Sequence, residues 1–160
     1  MDKVYLGLGS NLGDRGKNIQ SAMVLLERWG FSIIRSSSIY ETEPFGVKDQ
    51  GWFFNMVLMG ETELSPEDLL SAIHSIERAL KRVRAEKWGP RTIDIDILLY
   101  GDVVMNKQEL TIPHPHMHER KTVLQPLAEI APNALHPALK KTATELLNEC
   151  SDTSIVNIQQ

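Results

Sequence analysis

With 160 residues, 42% of them apolar and 24% charged, the chain has the make-up of one globular domain able to bury a real core. A net charge of −4 argues against general nucleic-acid binding, which leans on a basic surface. Cys150 is the sole cysteine, the start has no signal-peptide layout, and no apolar run approaches a membrane span. A cytoplasmic domain is expected, without an internal disulfide, nucleic-acid partner or membrane partner.

Val4 to Leu8 predicts a first buried strand, running into the glycine-rich stretch Gly7 to Asp14. That stretch matches neither G-x-G-x-x-G nor Walker A, so its glycines are read as turn residues rather than a phosphate cradle. Ile19, Ala22, Met23, Leu26 and Trp29 then repeat at helical spacing, between Asp14 and a stop at Gly30. Phe31 to Tyr40 reads as one partly exposed strand.

Tyr40 to Trp52 is rich in turn formers and too long for a tight hairpin, the kind of loop that often carries function. It leads into a strand with Phe54, Met56 and Leu58 on one face and Phe53, Asn55 and Val57 on the other. Asn55 beside Phe53 could read the edge of a heteroaromatic ring while the phenyl group stacks on its face, or could serve only to tie down nearby backbone. Ser65-Pro66-Glu67-Asp68 starts a helix buried along Leu69, Ala72, Ile73, Ile76, Leu80 and Val83. His74 and Glu77 flank that stripe. Six of the 17 Lys and Arg residues (Arg78, Lys81, Arg82, Arg84, Lys87 and Arg91) fall between positions 78 and 91, a cluster suited to a small polyanion.

The densest chemistry follows, in W-G-P-R-T-I-D-I-D-I-L-L-Y-G (Trp88 to Gly101). Ile93, Ile95 and Ile97 alternate with Asp94 and Asp96, so both carboxylates share one face of a strand, roughly 6.5–7 Å apart. Two carboxylates held that close repel each other unless a cation intervenes, and oxygen-only ligands suit Mg²⁺. A half-exposed strand with a solvated acidic face is the plainer alternative. The Gly-Pro turn, which fixes Trp88 and Arg91 at the entry to this strand, favours a metal–phosphate site.

Val103 to Met105 suggests a short hairpin partner. His114, His116 and His118 invite a zinc reading, but no cysteine is near and the backbone is broken by prolines, so a histidine and Arg120 beside phosphates is the better reading. Leu124 to Ile130 and Thr142 to Leu147 read as short packing helices closed by prolines 126, 132 and 137. The last ten residues carry no clear signal. The order β-α-β-β-α-β predicts an α+β, ferredoxin-like antiparallel sheet with helices on one face, followed by a β-hairpin and short helices.

Across nearly its whole length the chain resembles the 6-hydroxymethyl-7,8-dihydropterin pyrophosphokinases of the folate pathway. The matching stretches are G-L-G-S-N-L-G-D, Y-E-T-E-P-F-G, F-N at 54–55, R-V-R at 82–84, the W-G-P-R-T-I-D-I-D block and L-T-I-P-H-P. The resemblance implies a single stand-alone domain over residues 1–160, acting as a monomer. It would transfer pyrophosphate from ATP to the pterin's hydroxymethyl group and release AMP. It further implies that Asp94 and Asp96 hold two Mg²⁺ ions, with Arg82 and Arg91 also catalytic and Asp94 touching the pterin hydroxyl. Arg82, Arg84, Arg91, His114 and Arg120 would surround phosphates, while Leu70, His74, Glu77, Trp88, Ile97 and Thr111 would line the ATP side. Thr42, Glu43, Phe45, Phe53 and Asn55 would form the pterin pocket, and the loops at 43–51 and 82–88 would close over the substrates. The chain departs from relatives at Thr122, where many place a second aromatic, at Glu109, where some have Arg, and at Glu43, where some have Pro. A single-strand RNA-binding module or a non-catalytic nucleotide-binding domain could share this fold, but the acid pair opposes the first and the intact Asp94, Asp96, Arg91 and His114 oppose the second.

Overall fold

The structure, a computed structural model, describes residues 1–44, 49–81 and 92–159. Its first half runs β1 (Val4–Ser10), α1 (Arg15–Arg28), β2 (Phe31–Ser36), β3 (Tyr40–Thr42), β4 (Phe53–Thr62) and α2 (Pro66–Lys81). Then come β5 (Asp94–Tyr100), β6 (Met105–Asn106), β7 (Thr111–Ile112), a 3₁₀ turn (Met117–Glu119), α3 (Lys121–Ile130), β8 (Leu135–His136), β9 (Lys141–Thr142), α4 (Ala143–Glu149) and β10 (Val156–Ile158). The fold is mixed α and β, built on an antiparallel sheet. β1 lies at its centre between β4 and β5, β3 and β10 extend it beyond β4, and β2 pairs with the far half of β4.

Alternation along β1 explains the layering. Val4, Leu6 and Leu8 face one side with Met56, Leu58, Ile95 and Ile97, and α1 and α2 close over them with Ile19, Leu26, Leu69, Ile73 and Ile76. The helices form because each carries such a stripe and a cap: Asp14 accepts from the Lys17 N–H at 3.1 Å, and the Ser65 hydroxyl accepts from the Asp68 N–H at 3.1 Å. The opposite face is not left bare. Tyr5, Val57, Met59, Leu98 and Leu99 project there, and α3, α4 and Met117 cover them with Leu127, Ile130 and Ala143. Among the described residues, the end of this face carrying polar residues and glycine is left open, and the candidate site lies there.

Other expectations need correction. The strand read across 31–40 is two strands. The chain bends at Ser37, whose hydroxyl accepts from the Val57 N–H at 2.9 Å, and so passes from one half of β4 to the other. Trp29 ends α1 as its exposed C-cap and is not in the buried stripe, and Gly30 at φ +102 then turns the chain. Pro126 lies inside α3, buried, and does not close it. Val103 precedes the hairpin, which pairs Met105–Asn106 with Thr111–Ile112. The quiet C-terminus forms β10. Among the described residues, no helix is long and apolar enough to cross a membrane.

Candidate active site

The acid strand is placed by its register. Gly7 of β1 lies opposite Asp96 on one side and Val57 on the other; Gly9 lies opposite Asp94 and Asn55. Directly opposed residues in an antiparallel pair point to the same face, so Asn55, Asp94 and Asp96 stand together over two glycines. Ile93, Ile95 and Ile97 are buried on the other side, as the alternation predicts. Gly7 and Gly9 are the main residues missed by the sequence reading. They lie within a strand, not in a turn, and they form a floor without side chains. A Cβ on Gly9 would fall 2.6 Å from Asn55 Oδ1 and 3.6 Å from the Phe53 ring. The signal was available: two glycines at period 2 in a strand mark a close approach of another group to the backbone.

Two depressions meet at the acid pair. One is lined by Thr42, Glu43, Phe53 and Asn55 together with Asp94, Asp96, Arg120 and Thr122. Within it the Asn55 amide donates to the Thr42 hydroxyl at 2.7 Å, which fixes the plane of the amide. Of the expected pocket residues, Thr42, Glu43, Phe53 and Asn55 are thus brought together, and Thr122 stands among them.

The second depression is lined by Leu70, His74, Glu77, Ile97, Thr111 and His114, again with Asp94 and Asp96. β5 is an edge strand there, and its exposed backbone groups are met by neighbours: the Ile95 N–H donates to Glu77 Oε2 at 2.9 Å, and the His114 N–H donates to the Leu98 carbonyl at 3.0 Å. Glu77 therefore anchors the acid strand itself, a role its helical position did not reveal. The Ile112–Pro113 peptide bond just before His114 is cis.

His114 Nδ1 accepts from the His116 N–H at 3.1 Å, so the neutral ring carries its proton on Nε2. Burial, with smaller contributions from the charges of Arg120 and His116, lowers its pKa to about 4. The ring is a neutral donor at physiological pH. Arg120 lines the first depression, and its charge acts on His114, which lines the second. His116 and His118 instead lie near Glu119, at 3.4 and 3.5 Å.

The ends of the 43–52 loop are held from outside. Asn11 Nδ2 donates to Gln50 Oε1 at 2.9 Å and to the Gly51 carbonyl at 3.1 Å. Arg15, 3.8 Å above the centre of the Phe54 ring, donates to the Trp52 carbonyl and to Glu41, each at 2.8 Å. Phe45, Arg82, Arg84, Trp88 and Arg91, with the Gly-Pro turn, lie outside the described residues. Among the described residues no group of three or more His, Cys, Asp or Glu is arranged to hold a metal. Asp94 and Asp96 are a pair.

Comparison with known proteins matches residues 5–132 to the family 7,8-dihydro-6-hydroxymethylpterin-pyrophosphokinase. A 2-amino-4-hydroxy-6-hydroxymethyldihydropteridine pyrophosphokinase of Aquifex aeolicus is 44% identical over 149 residues, 93% of this chain and 92% of that protein. Its namesake in Methylorubrum extorquens is 46% identical over 134 residues, 83% and 85% of the two chains. Among solved structures, Plasmodium falciparum HPPK-DHPS with pteroate superposes with a TM-score of 0.73 at 20% identity, a likeness of fold. It covers 92% of this chain and 42% of that one, so this chain spans less than half of the solved structure's length.

Proposed function

We infer the reaction from one premise: the chain belongs to the 7,8-dihydro-6-hydroxymethylpterin-pyrophosphokinase family. It is an ATP-dependent pyrophosphokinase of folate synthesis, moving the pyrophosphoryl group of ATP to the hydroxymethyl group of 6-hydroxymethyl-7,8-dihydropterin. Release of AMP requires that the hydroxymethyl oxygen bond to the β-phosphorus while the α–β bridging oxygen leaves with AMP. The observation that supports this placement is that two depressions of different character share Asp94 and Asp96.

In this reading the depression with Thr42, Glu43, Phe53 and Asn55 takes the dihydropterin. Phe53 supplies a ring face, the Thr42-oriented amide of Asn55 meets the polar edge, and the glycine floor lets the ring approach the backbone. The depression with Leu70, His74, Glu77, Ile97 and Thr111 takes ATP, and His114 Nε2–H donates to a phosphate oxygen. Arg120, on the lining of the first depression, draws the transferred group toward the acceptor. Phe45, Arg82, Arg84, Trp88 and Arg91 keep the roles that the resemblance implies.

The donor set fits magnesium: Asp94 and Asp96 offer hard oxygen ligands, and Mg²⁺ commonly takes only one or two protein carboxylates, completing its shell with water and substrate phosphates. Two such ions would cancel charge on the triphosphate when bound. The protein's own contribution is alignment, which counts heavily because phosphoryl-type transfer demands positioning and charge cancellation more than a strong base. We also read residues 1–160 as a single cytoplasmic, monomeric pyrophosphokinase domain, and β1-α1-β2-β4-α2-β5 as a ferredoxin-like βαββαβ unit. The central β1 flanked by β4 and β5 supports that topology.

The deciding experiment is AMP formation from ATP and Mg²⁺, with and without the dihydropterin. Pterin-dependent AMP release that EDTA abolishes is expected. ATP binding without AMP would overturn the assignment in favour of a nucleotide-binding module.

A further inference from the structure

The family match ends at residue 132, yet the chain beyond α4 returns to the site. β10 pairs with β3 along Tyr40, Glu41 and Thr42. Just before it, the Ile155 carbonyl accepts from the Glu43 N–H at 3.3 Å, and the Ile155 N–H donates to Glu43 Oε1 at 3.0 Å. Three residues earlier, Asp152 Oδ2 accepts from the Lys121 N–H at 2.9 Å. Lys121 opens α3 and lies between Arg120 and Thr122. The helix's own N-cap, Arg120, offers no side-chain acceptor, so Asp152 supplies one from the tail.

The other oxygen of Asp152 is also occupied. Oδ1 accepts from the Ser154 N–H at 2.9 Å and from its hydroxyl at 2.6 Å, a local turn that holds the carboxylate in place. These hydrogen bonds outweigh burial and keep the Asp152 carboxyl below its ordinary range. Two parts of the depression's lining, Thr42–Glu43 and Arg120–Thr122, come from distant stretches of the chain. Both are tied to one short segment that does not itself line the depression.

We propose that Asp152 is a positioning residue for the dihydropterin: with Ile155 and β10 it sets the spacing between Thr42–Glu43 and Arg120–Thr122, and hence the affinity for that substrate. The proposal rests on the assignment of this depression to the pterin.

The test uses the full chain with Asp152→Ala, with Asp152→Asn, which keeps an acceptor, and with Leu26→Ala as a destabilised control from the core beneath α1. Asp152→Ala should raise KM for the dihydropterin about fivefold, the worth of roughly one net hydrogen bond, with KM for ATP nearly unchanged. Asp152→Asn, whose one carbonyl oxygen can still accept from the Lys121 N–H, should recover part of that loss, and Leu26→Ala should lower Tm without separating the two substrates. Equal changes in both KM values, or no change, would overturn the proposal. Should Asp152→Ala not fold, Ser154→Ala, which frees Oδ1 of one donor, is read in the same way. Hydrogen exchange at residues 40–43 and 121–123 reports the coupling without any turnover. Protection lost at both in Asp152→Ala supports it, and protection unchanged at either refutes it. That readout stands even if the wild-type chain releases no AMP, the outcome that would sink the assigned reaction instead.

Discussion

Asp96 is exposed on the sheet face while its strand neighbours Ile95 and Ile97 are buried, so the side chain can be removed without touching the core. Asp96→Ala should therefore cut turnover by about 10³ or more, comparable to losing a key electrostatic group at a reacting centre, with Tm nearly unchanged. Activity retained with Mg²⁺ would refute the metal-binding assignment. Gly9 makes a more local prediction. A methyl group 2.6 Å from Asn55 Oδ1 must displace that amide from its bond to Thr42, so Gly9→Ala should raise KM for the dihydropterin about tenfold. An unchanged KM would mean that Asn55 does not read the substrate. At this scale the acid pair was legible because strand alternation is a local rule. The Asn55–Thr42 bond was not, since it joins side chains on different strands.

At the scale of elements, β2 and β4 show how close packing limits the sequence. A Cβ on Gly60 would lie 2.4 Å from the Ser32 carbonyl oxygen and 2.5 Å from the Phe31 ring, so the strand pair closes only around a glycine. Gly60→Ala should cost about 2 kcal/mol and lower Tm by roughly 4–8 °C by scanning calorimetry. An unchanged Tm would show that the pairing can open at little cost. The two long helices were readable from their stripes and caps, and so were α3 and α4 as short helices. The break between β2 and β3 was hidden because the Ser-rich stretch alternates weakly and its bend is set by hydrogen bonds to Val57. β10 escaped notice because Val156–Ile158 is short, and its pairing partner lies more than a hundred positions earlier.

At the scale of the whole molecule, folding buries neutral histidines. The His114 pKa falls from 6.5 to about 4, and that of His136 is also lowered, chiefly by burial. Between pH 6.5 and 4 the unfolded chain takes up protons that the folded chain refuses. The stability His114 contributes is thus full above about pH 6.5 and is lost as pH falls toward 4, and His136 acts in the same direction. His114→Gln should flatten this part of the Tm-against-pH curve, and an identical slope in variant and wild type would refute the role of the ring. The sequence by itself determined the family, the reaction, the acid pair and most of the residues now found at the two depressions, because these rest on local motifs and periods. Only the tertiary structure decided that the glycines form a floor, that Glu77 anchors the acid strand, that α3 and α4 pack on the second sheet face and that the C-terminus braces the site. Each of these depends on contacts between residues far apart in the chain, which pattern along the chain does not encode.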